Sequence, residues 1–423
     1  MGARASVVVT GTEVLTGRVL DRNGPWLAEA LRRHGVDIGE VVVVGDRPDD
    51  LTTALHHLLD ATNDLVITTG GLGPTADDLT AQVVADVQRR TMHLDQDLEQ
   101  RIAAVIARLV AAHGWSVDAA DLAAATRKQA MVPEGAAVLE PVGTAPGLVV
   151  TAPDGATTPP VLVLPGPPRE LQGMWDAALA TEPVRHALAG RTELHEHTMR
   201  LWGTAESELA ASLRRHAAVA DLLEVTTCLR DGELEVVVRS SPAESPTVDA
   251  LRDALITDFG AAMYSPHGAT IDAVVAELLL SQGSTIATAE SCTAGLVAGR
   301  LADRPGSSGY LLGGCVTYSN EAKASLLGVS AGLVERMGAV SEEVARAMAD
   351  GVRARTGADI GVSVTGVAGP TGGTPEKPVG LVHLCATGPA GSKHRRVVIG
   401  GGRNTVRRRS VVEALHLVRA LLG

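Results

Sequence analysis

At 423 residues the chain exceeds what one ordinary hydrophobic core organises, and about two to three domains are expected. Its formal net charge of −12 argues against a general nucleic-acid surface, which needs clustered Lys and Arg to neutralise phosphates. The cysteines at 228, 292, 315 and 385 lack CxxC or metal-ligand spacing, no charged-then-apolar leader is read, and no apolar run reaches membrane-spanning length. A reduced, cytoplasmic protein without nucleic-acid or membrane partners is therefore expected. Phe259 is the sole phenylalanine, so the cores must be built from Val, Leu, Ile and Ala, which suits buried parallel sheets covered by helices.

The N-terminal half alternates strand and helix. SVVVT precedes the amphipathic NGPWLAEALRRHG, VDIGEVVVVGD precedes PDDLTTALHHLLDAT, and DLVITTGG precedes a helix expected from about Ala76 to Arg89. Such alternation predicts an α/β fold with a parallel sheet covered on both faces, and ligands collect beyond the carboxyl ends of its strands. The loops there carry Gly11-Thr12-Glu13, Asp46, and the run Thr69-Gly70-Gly71-Leu72-Gly73-Pro74-Thr75-Ala76-Asp77-Asp78. Glycines let the backbone approach a phosphate and turn its amides toward it, and the acids could hold a divalent cation bridging phosphate oxygens. The bland alternatives are a tight βα connection and acids that cap a helix.

In the middle, His195 to Trp202 reads as a strand, Ala205 to His216 as a helix, and Leu223–Leu229 with Glu233–Arg239 as a hairpin around Asp231-Gly232. Thr247 to Asp258 reads as a further helix, and no reactive constellation appears here. Pro242 to Pro246 is a short polar turn, and Ser265-Pro266-His267-Gly268 is the better linker into the last third.

In that third, a buried-type strand runs into Glu290-Ser291-Cys292-Thr293-Ala294-Gly295, where a helix begins and free backbone N–H groups can face an oxyanion. A second strand ends at Tyr318-Ser319-Asn320 and delivers Lys323 into the first turn of another helix. A serine beside an amine base is one recipe for acyl transfer, provided burial or a neighbouring cation lowers the lysine pKa from its solution value near 10.4. A third strand, GVSVT, opens the loop Thr365–Gly373, and Arg403 starts the last helix after three glycines. The run Arg407-Arg408-Arg409 in that helix reads as a solvated or phosphate-facing side.

The strings AESCTAG, VTYSNEAK and TGVAGPTGG resemble, in that order, the nicotinamide-nucleotide amidase domain that forms the C-terminal part of CinA-family proteins, over roughly residues 271–423. Residues of about 5–180 are similar to the molybdopterin-binding fold through TTGGLGPTADDLT and LPGPPREL, with Asp46 and Asp78 on its acidic positions. The longer strings GTEVLTGRVLDRN, TTGGLGPTADDLTA and RKQAMVPEGA look more like CinA itself. The resemblance implies three parts: a molybdopterin-binding-like three-layer domain over 1–180, a small α+β connecting domain over 181–264, and an α/β amidohydrolase domain over 265–423. It implies deamidation of nicotinamide mononucleotide (NMN) to nicotinate mononucleotide and ammonia without a cofactor. For the first domain it implies ADP-ribose pyrophosphatase activity with a divalent cation (Mg, Mn or Co), and for the chain a homodimer. Thr126 stands where the CinA pattern usually places Asn, which bears on the substrate preference of that domain.

Carried onto this sequence, the resemblance gives Ser291 as nucleophile, Lys323 as base and Tyr318 within hydrogen-bond reach of one of them. Thr293 is either a second-choice nucleophile or an orienter. Cys292 points to the opposite side on extended backbone and is expected to be a core thiol. Glu290 either binds substrate hydroxyls or caps the next helix, and amides from Thr293 to Gly295 could form the oxyanion hole. Thr365, Gly366, Gly369 and Arg403 are expected around the ribose phosphate. In the first domain, Gly11, Glu13, Asn23, Gly70, Gly71, Gly73, Pro74, Thr75 and Asp78 are expected to contact substrate, and Asp46 with Asp78 to hold the metal. Alternatively the first domain is a pterin- or nucleotide-binding module that regulates the other half, or one of the two sites is inactive.

Overall fold

Two layers of helix around a sheet recur twice along the chain. The computed structural model describes residues 2–113, 118–191 and 193–423. They divide into two units, Met1–Glu196 with Ser240–Ala243, and His197–Arg239 with Glu244–Gly423.

The first unit holds a six-stranded sheet in the order Asp37–Val44, Arg4–Thr10, Leu65–Thr69, Val161–Leu164, Gly147–Val150, Ala137–Leu139. The first four strands are parallel and the last two antiparallel. Side chains alternate across a strand, so Val7, Val9, Leu162 and Leu164 enter one core while Val8, Val161 and Val163 enter the other. The first core is closed by Leu27, Ala30 and Leu31 of helix Asn23–Arg33 and by Leu171, Met174, Trp175 and Ala178 of helix Pro168–Ala180, each set at helical spacing. The second is closed by Leu51, Ala54, Leu55 and Leu58 of helix Pro48–Asp60. Each fully buried Val or Leu contributes roughly 1.5–3 kcal/mol. The helix expected from Ala76 begins only at Thr80, because Asp78 folds the preceding residues into a turn described below.

The second unit holds a five-stranded sheet in the order Leu311–Val316, Ile286–Glu290, Ile360–Gly366, Leu381–Gly388, Gly391–Val398, with three parallel strands followed by two antiparallel ones. Ile286, Val362, Val364 and Leu384 pack on helices Ile271–Ser281 and Arg403–Leu422, while Ala287 and Ala289 pack on Val344, Met348 and Val352 of helix Glu342–Thr356.

The same unit contains all but the ends of a four-stranded sheet, Glu224–Arg230, Glu233–Ser240, His195–Trp202, Met263–Ser265. Its hairpin turns at Asp231 and Gly232 with φ of 50° and 93°, the two positive values that an Asp-Gly turn supplies. His416 of the last helix stacks on Trp202 with ring centroids 4.0 Å apart, and its Nε2 lies 2.9 Å from Glu233 Oε1, which also accepts from the Tyr264 hydroxyl at 2.6 Å. Within the span 181–264, residues up to Glu196 thus fall in the first unit, and His197–Arg239 packs with the C-terminal residues in the second. No helix among the described residues is long and apolar enough to cross a membrane.

Candidate active sites

The strand Ile286–Glu290, between Leu311–Val316 and Ile360–Gly366, ends at Ser291, whose N–H continues the ladder to Val364 O at 2.9 Å. The chain then turns sharply, with Ala294 at φ 52° and Gly295 at φ 93°, into the short helix Leu296–Ala302. Ala294 is one of few non-glycine residues in the left-handed region, where an L side chain is disfavoured. Its conformation is held by two clamps. The Ala294 N–H donates to Ser291 O at 3.1 Å. The buried Glu290 carboxylate accepts from the amides of Gly295 (3.0 Å), Val297 (3.0 Å) and Ala298 (2.8 Å) and from the Thr288 hydroxyl (3.1 Å).

Those bonds decide between the two readings of Glu290: its carboxylate caps the helix. They also correct the expected oxyanion donors, since the amides of Ala294 and Gly295 are taken up within the turn and only Thr293 of that set keeps a free N–H among the described residues. Ser291 stands four residues ahead of the Gly295 cap, so it is not itself a helix cap.

Lys323 reaches Ser291 from the helix that follows the neighbouring strand Leu311–Val316. Ser319 caps helix Asn320–Leu327 by accepting from Ala322 N at 3.1 Å, which sets Lys323 one turn in and facing inward. Its side chain is 1% exposed, and Nζ lies 3.2 Å from Ser291 Oγ, 2.9 Å from Thr317 O and 3.5 Å from Tyr318 O. Burial pushes this amine below its ordinary range, against a smaller opposing pull from Cys292 and Glu321. Burial pushes the Cys292 thiol up to about 11, and its side chain joins the apolar core.

Tyr318 meets the pair through its backbone, which corrects the expectation for its side chain. Its hydroxyl instead accepts from Arg403 Nη2 at 2.7 Å, and Arg403 Nη1 donates to Gly369 O at 2.9 Å. Arg403, Tyr318 and Gly369 therefore gather beside the Ser291–Lys323 pair. Thr365 and Gly366 are drawn into the sheet: Thr365 Oγ1 donates to Ala339 O at 2.8 Å, and a Cβ on Gly366 would lie 2.7 Å from Leu381 O. Gly366 thus admits the neighbouring strand rather than a phosphate. Arg407 departs from the solvated-side expectation by turning inward, donating to Cys292 O at 3.1 Å and Thr293 O at 3.0 Å.

In the first unit a cavity of about 720 Å³ opens where the parallel strands end. Gly11, Glu13, Asn23, Asp46, Gly70, Gly71, Gly73, Pro74 and Asp78 all line it, while Thr75 does not and instead bonds to Asp78. Asp46 ties the first two loops together, its Oδ2 accepting from Thr12 N at 2.8 Å and its own N–H donating to Thr12 Oγ1 at 3.2 Å. Asp78 Oδ2 accepts from Thr75 N at 2.9 Å and Thr75 Oγ1 at 2.6 Å, closing the turn that delays the helix, whose N-cap is Leu79.

Asn23 Nδ2 donates to Thr69 Oγ1 at 2.9 Å and Gly166 O at 2.6 Å, joining three loops. Among the described residues no group of three or more His, Cys, Asp or Glu is placed to hold a metal ion. The lining also includes Gln129, which donates to Leu72 O at 3.0 Å, and Glu170, whose carboxyl burial holds above the usual range, neither of which the sequence marked as a site residue. The signal for Glu170 was its place in the string LPGPPREL.

Two family models match the chain, a probable molybdopterin binding domain over residues 6–186 and the CinA C-terminal domain over residues 268–422. A CinA-like protein of Mycolicibacterium vanbaalenii is 52% identical over 426 residues, covering 100% of this chain and 99% of its relative. The chain belongs to the CinA family. Another CinA-like protein, from Mycobacterium tuberculosis, is 50% identical over 430 residues, covering 100% of this chain and 98% of its own.

Among solved structures, a competence/damage inducible protein from Agrobacterium tumefaciens is 40% identical across 37% of this chain and 98% of its own length, with a TM-score of 0.36. Within this CinA-family chain the first unit carries the molybdopterin-binding-like three-layer domain, and Ser291, Lys323 and Arg403 all fall inside the span matched by the CinA C-terminal model. Thr126, the departure from the CinA pattern, is buried in helix Ala119–Gln129 with its hydroxyl bonded to Leu122 O at 2.7 Å.

Proposed function

We propose that the second unit hydrolyses the carboxamide of NMN, with Ser291 as nucleophile and Lys323 as base. The observation that carries this reading is a buried amine 3.2 Å from a serine oxygen. With Lys323 neutral, its two N–H bonds serve the carbonyls of Thr317 and Tyr318, and its lone pair faces the Ser291 hydroxyl. As Oγ bonds to the carboxamide carbon, its proton passes to Nζ and the carbonyl electron pair moves onto oxygen. Collapse breaks the C–N bond, and Nζ returns the proton to the departing ammonia. Water then cleaves the acyl-serine, with Lys323 again as base. The Arg403 charge beside Tyr318 and the Gly369 loop supports recognition of the nucleotide phosphate.

For the first unit we propose metal-dependent hydrolysis of a pyrophosphate such as ADP-ribose. The hard carboxylate oxygens of Asp46 and Asp78, lining one cavity with the Gly70-Gly71 backbone, fit a cation such as Mg, Mn or Co shared with phosphate oxygens better than a closed protein cage. Such a cation would neutralise phosphate charge, while Gly11, Glu13, Asn23, Gly73, Pro74 and Thr75 shape and support the cavity around the substrate. A second reading is favoured by one observation: Asp46 and Asp78 both build turns, as they would in a binding module that regulates the amidase. Release of AMP from ADP-ribose separates the two, since a module binds without turnover.

Lys323→Met should abolish ammonia release from NMN and leave ADP-ribose turnover intact, whereas Asp78→Asn should do the converse. Full deamidation by Lys323→Met removes the dyad. A cytoplasmic homodimer belongs to the same reading, and light scattering and cell fractionation check it.

A further inference from the structure

Glu170 stands in the first turn of helix Pro168–Ala180 and lines the cavity of the first unit. Its carboxylate lies flat against Gly143, where a Cβ would collide with both oxygens, so only glycine leaves it room. Among the described residues neither oxygen has a hydrogen-bond or ion-pair partner. The side chain is half-buried, yet its oxygens are not sealed from solvent as the orphaned Thr68 Oγ1 is. An acid in a first turn also favours the helix dipole, but a side chain out in water serves that purpose equally. Taking a carboxylate partly out of water without a partner costs free energy, which donors arriving with a ligand would recover. Those donors are not phosphates, whose charge the carboxylate repels. Asp46 follows the edge strand Asp37–Val44 and Glu170 follows Val161–Leu164, three places along the sheet, so about 14 Å separates those strand ends. One elongated molecule can therefore set phosphate at the first and a sugar at the second. Around Glu170 the wall is Thr144, Ala145, Pro167 and Pro168, with no aromatic face on which a base would stack.

We propose that Glu170 is a specificity residue of this cavity, its two oxygens accepting from two neighbouring hydroxyls of a ribose and so selecting ribose over 2-deoxyribose. A carboxylate matches a vicinal diol because each oxygen takes one donor, and bonds to a charged acceptor are the stronger kind. The role rests on the reading of the cavity as a nucleotide site, not on whether the nucleotide is hydrolysed there.

Calorimetric titration of the full chain tests this with two pairs of probes: AMP against 2′-deoxy-AMP for the nucleoside sugar, and ribose 5-phosphate against 2-deoxyribose 5-phosphate for a terminal sugar. In one pair the wild type should bind the diol about 10-fold or more tighter, the scale of a hydrogen bond to a charged group. E170Q should bring that ratio within about threefold while binding the deoxy probe as before. A merely structural role would lower the melting temperature and weaken both members of a pair alike. If E170Q does not fold, E170D, which keeps the charge but withdraws it by one methylene, decides by the same ratio. A wild type that binds both members of each pair equally, or an E170Q that keeps the full preference, overturns the proposal and leaves the nucleotide reading in place. A preference for AMP over IMP that vanishes in E170Q puts the amino group of the base at Glu170 and overturns it too. Binding of none of these probes removes the nucleotide reading and this inference with it, whereas ribose selection without ADP-ribose turnover keeps the inference and favours the binding module.

Discussion

A lysine amine held out of water is a base near neutral pH only because the fold disfavours its charged form. The ordinary value for Lys323 is 10.5, and burial lowers it in the folded chain. Deamidation should therefore rise with pH as Lys323 loses its proton, with an inflection below 10.5 in kcat/KM against pH. Stability must follow the same sign. Between the lowered folded pKa and the unfolded value, the unfolded chain binds more protons, so this site's contribution grows as pH rises. The melting temperature of wild type relative to Lys323→Met should thus climb as pH rises toward the unfolded value of 10.5, and a flat difference would show that Lys323 stays charged in the fold. At this scale the Ser291–Lys323 pair was legible because both residues sit in long motifs at strand ends. The Tyr318 hydroxyl was not, because its partner Arg403 lies 85 positions away and periodicity reports backbone geometry, not distant partners.

Elements were the most readable level, for a physical reason: buried parallel strands are unbroken Val/Ile/Leu runs, and helices repeat their apolar faces at three and four residues. Hence SVVVT, the Asp231-Gly232 hairpin and the start of the last helix at Arg403 stand where the sequence indicates. Starts governed by side-chain bonding were harder. Asp78 looks like a helix cap, yet it bonds back to Thr75 and moves the helix start to Thr80. Glu290 looks like a substrate ligand as much as a cap, and only its three amide contacts decide. Glu290→Gln would turn an amide N–H₂ toward those donors, so urea denaturation should show a loss of about 2–3 kcal/mol, the scale of charge-assisted bonds to buried groups. Because the cap also holds the turn after Ser291, deamidation should fall with it. An unchanged urea midpoint would mean that the carboxylate is not what starts that helix.

At the scale of the molecule, composition indicated more than one core but not how the middle segment divides. A hairpin and two helices without reactive residues read as a spacer, and nothing local in them shows that Trp202, Glu233 and Tyr264 close around His416, far along the chain. Arg407 illustrates the same limit, since three consecutive arginines on a helix look solvated until the turn they face is in place.

The last helix, Arg403–Leu422, therefore works as an axle. Near its first turn sit the guanidiniums that hold Tyr318, Gly369 and the Cys292–Thr293 carbonyls, and roughly 20 Å along, at the helical rise per residue, sits the imidazole clasped by the four-stranded sheet. A helix transmits tilt as a stiff rod, so loosening the clasp should be felt at the other end. His416→Ala, which leaves the buried Glu233 with only the Tyr264 hydroxyl as partner and removes the ring stacked on Trp202, should destabilise the second unit by about 1–3 kcal/mol and slow ammonia release in the protein that remains folded. Unaltered kinetics in that variant would show that the rod is anchored independently at each end.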